Sequence, residues 1–191
     1  MNNPEYVKIK DKLYKINTSY KVGLKCQEIA LDDEIDDYER ALGIIYLLFG
    51  DEGLDDKENR GKLLELGMKY LSCGVEVENE EEPDMDLIQD LKLIKASFKS
   101  DYKIDLNVEE LCWHDFYMYL NGLTDKCILN RVREIRTMDL NEIKDVKTKE
   151  RLKKQKKAFM LKKKHKKISG KEMRNVENFY KLTGIERSKY E

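Results

Sequence analysis

Cys112 and His114 are the closest pair of metal-ligating types in the sequence, and they stand two residues apart. On one helix that spacing sends the two side chains in different directions. No C-x-x-C or H-x-x-x-H completes a zinc site around them. The same objection meets a Cys–His nucleophilic dyad. The second histidine, His165, lies in a lysine run and reads as solvated. The four cysteines, Cys26, Cys73, Cys112 and Cys127, are far apart and read as small core side chains of a reducing compartment. Carboxylates number 38, so finding pairs of them carries little information. General acid–base chemistry needs one that is buried with a shifted pKa. Asp115, between Trp113 and Phe116 by two residues and one, is the single candidate, and an exposed helix position is its simpler reading. Gly61-Lys62 and Gly170-Lys171 lack the earlier glycine of a phosphate-binding loop, and neither G-x-G-x-x-G nor the D-x-[DN]-x-[DN]-G calcium loop occurs. The sequence therefore predicts no enzyme, no cofactor and no bound metal.

Binding chemistry is better represented. Trp113, the only tryptophan, sits with Phe116, Tyr117, Tyr119 and Leu120, either as core or as a partner-binding anchor. Residues 141–191 hold 18 Lys or Arg against 7 Asp or Glu, a net of +11; residues 1–140 hold 19 against 31, a net of −12. The base concentrates at Lys153, Lys154, Lys156 and Lys157, and again at Lys162, Lys163, Lys164, Lys166 and Lys167. Acid concentrates over 32–37, at 51–56 and over 76–86. Such a dipole fits a nucleic-acid tail, an arm that docks on an acidic protein or on its own body, or a solvated helix. Phe159 is the only aromatic between the two lysine runs, so the stacking platform of a single-strand binder is missing.

The elements that would carry these residues are mostly helical. In 191 residues there are two prolines and ten glycines, and 39% are charged. The pattern predicts an all-α compact bundle of about six to eight helices, with a small N-terminal β-hairpin and a basic helical C-terminal extension. Two regions are expected: 1–140, an acidic helical domain with the hairpin, and 141–191, the basic arm. Period-two alternation over 6–16 gives the hairpin. Helical spacing gives 20–31, 36–49 ending at Gly50, 55–71, 85–100, 108–121, 125–137 after Thr124, a short turn after Asp139, and 148–166. A loop is expected over 75–83. Ser169 with Glu172 makes a capping box for a last helix, 170–182, whose Val176, Phe179, Tyr180 and Leu182 form an apolar face that must bury on the body or on a partner. No apolar run suits a membrane span and no secretory signal is read at the start, so a cytoplasmic protein is expected.

Three stretches carry a resemblance. They are Ile16 to Lys25 with Glu39 to Gly50; Leu87 to Leu106; and Leu111-Cys112-Trp113-His114-Asp115-Phe116 with Leu120 to Leu123 and Arg131 to Arg136. Their order and spacing over about 14–138 resemble the bacteriophage Gp-fifteen family, with a looser match in the arm. The family pattern often has two adjacent aromatics where this chain has Trp113-His114. The family's members lie among the tail genes of long-tailed phages and prophages of Gram-positive bacteria. The resemblance implies a non-enzymatic tail assembly chaperone in the host cytoplasm. Its partners would be the tape measure protein and the major tail tube protein, with the neighbouring small tail chaperone or a second copy as others. Trp113, Phe116, Tyr117, Lys153, Lys154, Lys156, Lys157, Phe159, Lys162, Lys163, Lys164, Phe179 and Tyr180 are the candidate partner-binding residues. The alternatives are a phage nucleic-acid-binding or regulatory protein using the basic arm, or a structural tail or connector component. Salt separates them, because nucleic-acid affinity falls steeply with it.

Overall fold

A computed structural model describes residues 5–74 and 83–162. Within them the chain is mostly α: seven α-helices, one 3-10 turn and one two-stranded hairpin. The contacts divide it into two bodies, whose described residues are 5–74 with 112–114, and 83–111 with 115–162.

The first body starts with the expected hairpin. Strand β1 (Tyr6–Ile9) pairs antiparallel with β2 (Lys12–Lys15), Ile9 facing Lys12 across the turn. Alternation sends Ile9 and Tyr14 inward, while Tyr6 and Leu13 stay exposed. Helices α1 (Tyr20–Ala30), α2 (Asp37–Asp55) and α3 (Arg60–Leu71) follow, with α2 packed against α1, α3 and β2. Ser19 caps α1, and Asp36 with Glu39 closes a full capping box on α2. Ile16, Tyr20, Cys26, Ile45, Leu48 and Leu63 are among the fully enclosed side chains. Each such apolar side chain contributes roughly 1.5–3 kcal/mol on burial.

Gly50 was expected to end α2. It does break the helix, with φ 66° and ψ −160°, a left-handed conformation that glycine adopts without a Cβ penalty. One more helical turn then runs to Asp55. Helix α3 starts at Arg60 instead of 55, because Asp56 is used elsewhere. Its carboxylate accepts from Tyr14 Oη, from Lys12 Nζ at 3.1 Å and from Asn59 Nδ2, tying the hairpin to the α2–α3 turn.

The second body holds α4 (Leu91–Tyr102), the rest of α5 (Trp113–Asn121), α6 (Ile128–Thr137), the 3-10 turn Leu140–Glu142 and α7 (Val146–Phe159). Three of these start later than the sequence pattern suggested, each for a tertiary reason. Residues 86–90 form a turn closed by Asp86, whose Oδ1 accepts from Ile88 N and Gln89 N, so α4 begins at Leu91. Trp113 N donates to Thr18 O, and Cys112 bridges Ser19 in a β-like pair, which keeps 112 extended and delays α5 from 108. Thr124 turns its hydroxyl and N–H to Asp101 Oδ2, both at 2.9 Å, so Cys127 caps α6 instead.

Helix α7 was expected over 148–166 and ends at Phe159. Beyond it the backbone of Lys162 is gripped by the Gln89 amide: Lys162 N donates to Oε1 at 2.8 Å and Nε2 donates to Lys162 O at 3.2 Å. The step in charge near 140 is one of composition. By contact, α7 packs on α6 inside the second body. The expected loop over 75–83, apart from Pro83, and the expected helix 170–182 lie outside the described residues.

Candidate interaction surface

Helix α7 collects seven Lys or Arg and one acid, Glu150, in fourteen residues. Asp145 caps it, accepting from Thr148 N at 2.7 Å; the Thr148 hydrogen bonds, and then Arg151, hold its carboxyl below the usual range. Lys156 and Lys157 in the last turn oppose the negative end of the helix dipole. The inner side is formed by Thr148, Lys149, Leu152, Lys156 and Phe159, all half-buried. Lys156 folds back and donates to Met138 O at 2.7 Å.

The outer side is different. Lys147, Arg151 and Lys154 recur at i, i+4 and i+7, with Lys153 and Lys157 beside them. All five are exposed, and none forms an ion pair among the described residues. Fourteen residues make a helix about 21 Å long. The result is a rod with a predominantly basic outer face, Glu150 being the one acid among its five cations and Asp145 lying beside Arg151.

A buried ion pair holds that rod in place. Arg136 on α6 meets the Asp90 carboxylate with two hydrogen bonds, both 2.7 Å, and the two side chains are 10% and 3% exposed. The same guanidinium donates to Asp84 O at 2.8 Å and to Phe159 O at 2.7 Å. One side chain thus fixes the start of α4 and the end of α7. A paired, fully hydrogen-bonded guanidinium tolerates burial, whereas either partner alone would not. The sequence reading passed over this pair, although Asp90 stands at i, i+4, i+8 with Ile94 and Phe98 on an apolar stripe. A carboxylate on such a stripe was the available signal.

Two of the aromatic candidates, Trp113 and Phe116, are core. Trp113 is 0% exposed; its Nε1 donates to Leu71 O at 2.9 Å, and Gly23 leaves room for its ring. Phe116 is also 0% exposed and stacks on Phe98 with ring centroids 5.4 Å apart. Neither offers surface to a partner, because both are spent on packing. Tyr117 and Phe159 are half-buried. Lys153, Lys154, Lys157 and Lys162 are exposed and Lys156 half-buried. Lys163, Lys164, Phe179 and Tyr180 lie outside the described residues.

Reactive groups are sparse. Burial pushes the Cys26 thiol up to about 12 and Cys73 to about 11, far from a thiolate at neutral pH. The His114 ring packs on Tyr70 at 4.6 Å with Nε2 3.2 Å from Tyr70 O, and Asp115 faces solvent. Among the described residues no three His, Cys, Asp or Glu side chains group as a metal site, and no helix is long and apolar enough to cross a membrane.

The sequence profile of one family, Bacteriophage Gp15 protein, matches residues 1–161. The chain belongs to that family. The match runs through both bodies and reaches past the end of α7, so the basic rod and its Arg136–Asp90 anchor are within the family's span. Members of the family are phage structural or assembly proteins. A search of curated proteins and a search of solved structures each find no match.

Proposed function

We propose that this protein is a non-enzymatic tail assembly chaperone. It binds the tape measure protein, the major tail tube protein or both in the host cytoplasm, and leaves before the particle is complete. The family assignment supports a role in phage assembly. The observation that carries the finer reading is the outer face of α7, with Lys147, Arg151, Lys153, Lys154 and Lys157 exposed together around a single acid, Glu150, and in no ion pair among the described residues. Five cations around one acid on a helix face leave a net repulsion. A transient complex uses such a face well. Charge complementarity speeds encounter and sets register more than it adds affinity, and a chaperone must also let go. A tail protein with an acidic surface patch is the matching partner, and the neighbouring small tail chaperone is a second protein that could present one.

The test is an affinity pull-down of the tagged full chain from infected or induced cells, beside the triple variant Lys153→Glu, Lys154→Glu, Lys157→Glu. The reading expects tape measure or tube protein in the wild-type eluate, and its loss from the variant. Recovery of nucleic acid alone, removed steeply by salt, would overturn it in favour of the basic-arm alternative.

A further inference from the structure

Residues 41–50 read Ala-Leu-Gly-Ile-Ile-Tyr-Leu-Leu-Phe-Gly, ten positions of α2 without a charged or amide side chain. A helix that is apolar all round belongs in an interior, covered on every side. Among the described residues that cover is incomplete along one strip. Ala41, Ile44, Ile45, Leu48 and Phe49 are buried. Leu42 and Leu47 are half-buried, Tyr46 between them is 50% exposed, and Gly43 is half-buried against Ile29 of α1. Tyr38, one turn before Leu42, is 37% exposed, with its hydroxyl accepting from Arg60 Nη1 at 3.4 Å. The outward face of this central helix is therefore an apolar strip of just under about two turns, Leu42 to Leu47, where a monomer's outward face would carry Lys and Glu. Contiguous exposed apolar surface of this kind marks a docking site.

The ends of the stripe say what docks there. Before it stand Asp32, Asp33, Glu34, Asp36, Asp37 and Glu39, with no base among residues 32–39. Arg40 follows, but Asp37 and the carbonyls of Ile29, Asp32 and Ile35 take its guanidinium. After the stripe stand Asp51, Glu52 and Asp55, of which, among the described residues, only Glu52 reaches a cation, Lys12 at 3.6 Å. A second copy's α2 would set acid against acid whether it lay parallel or antiparallel. Nucleic acid and an anionic membrane meet the same repulsion.

We propose that the outward face of α2, centred on Leu42, Tyr46 and Leu47, receives one amphipathic helix of a partner protein that carries basic residues at both ends of its apolar stripe. The apolar contact supplies affinity by helix-in-groove packing, and the two acidic ends fix length and register. This surface lies in the first body and differs in chemistry from the α7 face, so either can fail while the other stands.

The probe is a pair of labelled helical peptides of about 18 residues with one shared Leu/Ala stripe, one flanked by Lys at both ends and one by Glu. Binding to the full chain is read by fluorescence anisotropy. The Lys-flanked peptide binds, and the Glu-flanked peptide binds at least about tenfold more weakly. Tyr46→Glu, at an exposed position, weakens the Lys-flanked peptide by about tenfold or more at unchanged Tm. Met118→Glu, exposed in the second body, leaves binding unchanged. Glu39→Lys with Asp51→Lys turns the flank preference toward the Glu-flanked peptide. Binding of neither peptide, or binding indifferent to Tyr46→Glu, overturns the proposal. Concentration-dependent self-association abolished by Tyr46→Glu would assign the face to a second copy. Carbodiimide cross-links within the monomer from Lys162–Lys167 to Glu39 or Asp51 would assign it to the chain's own tail. Either result also overturns it.

Discussion

Replacing Arg136 by Met tests how α7 is held out to a partner. The guanidinium satisfies both oxygens of a carboxylate that is 3% exposed, and also the carbonyls of Asp84 and Phe159. Methionine fills similar volume but strands the Asp90 charge. Breaking a buried pair from one side costs about 3–5 kcal/mol. For a chain of this size that is a Tm loss of roughly 6–20 °C. Adding Asp90→Asn removes the stranded charge, so Arg136→Met/Asp90→Asn is more stable than Arg136→Met alone. Thermal unfolding by circular dichroism reads both. Hydrogen exchange gives the local signature: amides over 156–162 lose protection first, because the Phe159 carbonyl has lost its donor. A Tm shift under about 2 °C, with a double variant no better than the single one, would refute the assignment of Arg136 as the anchor of α7.

Other expectations follow from the same contacts. Gly23→Ala places a Cβ 2.1 Å from the Trp113 ring, so it destabilises by about 1–3 kcal/mol and shifts the emission of this lone tryptophan; an unchanged Tm and spectrum would contradict that packing. Lys153→Glu/Lys154→Glu/Lys157→Glu leaves Tm nearly unchanged, since all three positions are exposed, and a large drop would show that they stabilise the fold. The Tyr14 hydroxyl first, then Asn59 and Lys12, hold the Asp56 carboxyl well below its usual range. A depressed carboxylate stabilises above its unfolded pKa, about 4, and loses that contribution as pH falls toward the folded value. Tm should therefore fall steeply below about pH 4, and Tyr14→Phe should flatten that slope while lowering Tm at pH 7. Equal slopes for the two proteins would contradict the Tyr14–Asp56 link.

The parts of this fold that were legible in the sequence are those set by period. Alternation over 6–15 gave the hairpin, and the stripe through Ile45 and Leu48 gave α2. Helix starts were misjudged where a good capping residue serves a distant contact. Asp56 is held by Tyr14, Thr124 bonds Asp101, and residues before α4 form the turn that brings Asp90 to Arg136. A local window cannot see those partners. The exposed lysines of α7 could be read from composition, whereas Trp113 and Phe116 could not be assigned to core or surface until their neighbours were known. Helical spacing placed Tyr38, Leu42, Ile45 and Phe49 on one stripe with Ala41, Ile44 and Leu48, and the partly open strip through Leu42, Tyr46 and Leu47 became visible only when α1, α3 and β2 were seen to occupy the other sides.

The central claim is a protein that binds tail components during assembly and is then released. Its most direct measurement is the abundance of this chain, by quantitative mass spectrometry, in tail intermediates and in purified finished particles from the same culture. The account predicts the chain together with tape measure or tube protein in the intermediates and its loss from the particles. A fixed stoichiometric amount in finished particles would contradict it and make this family member a structural component of the tail.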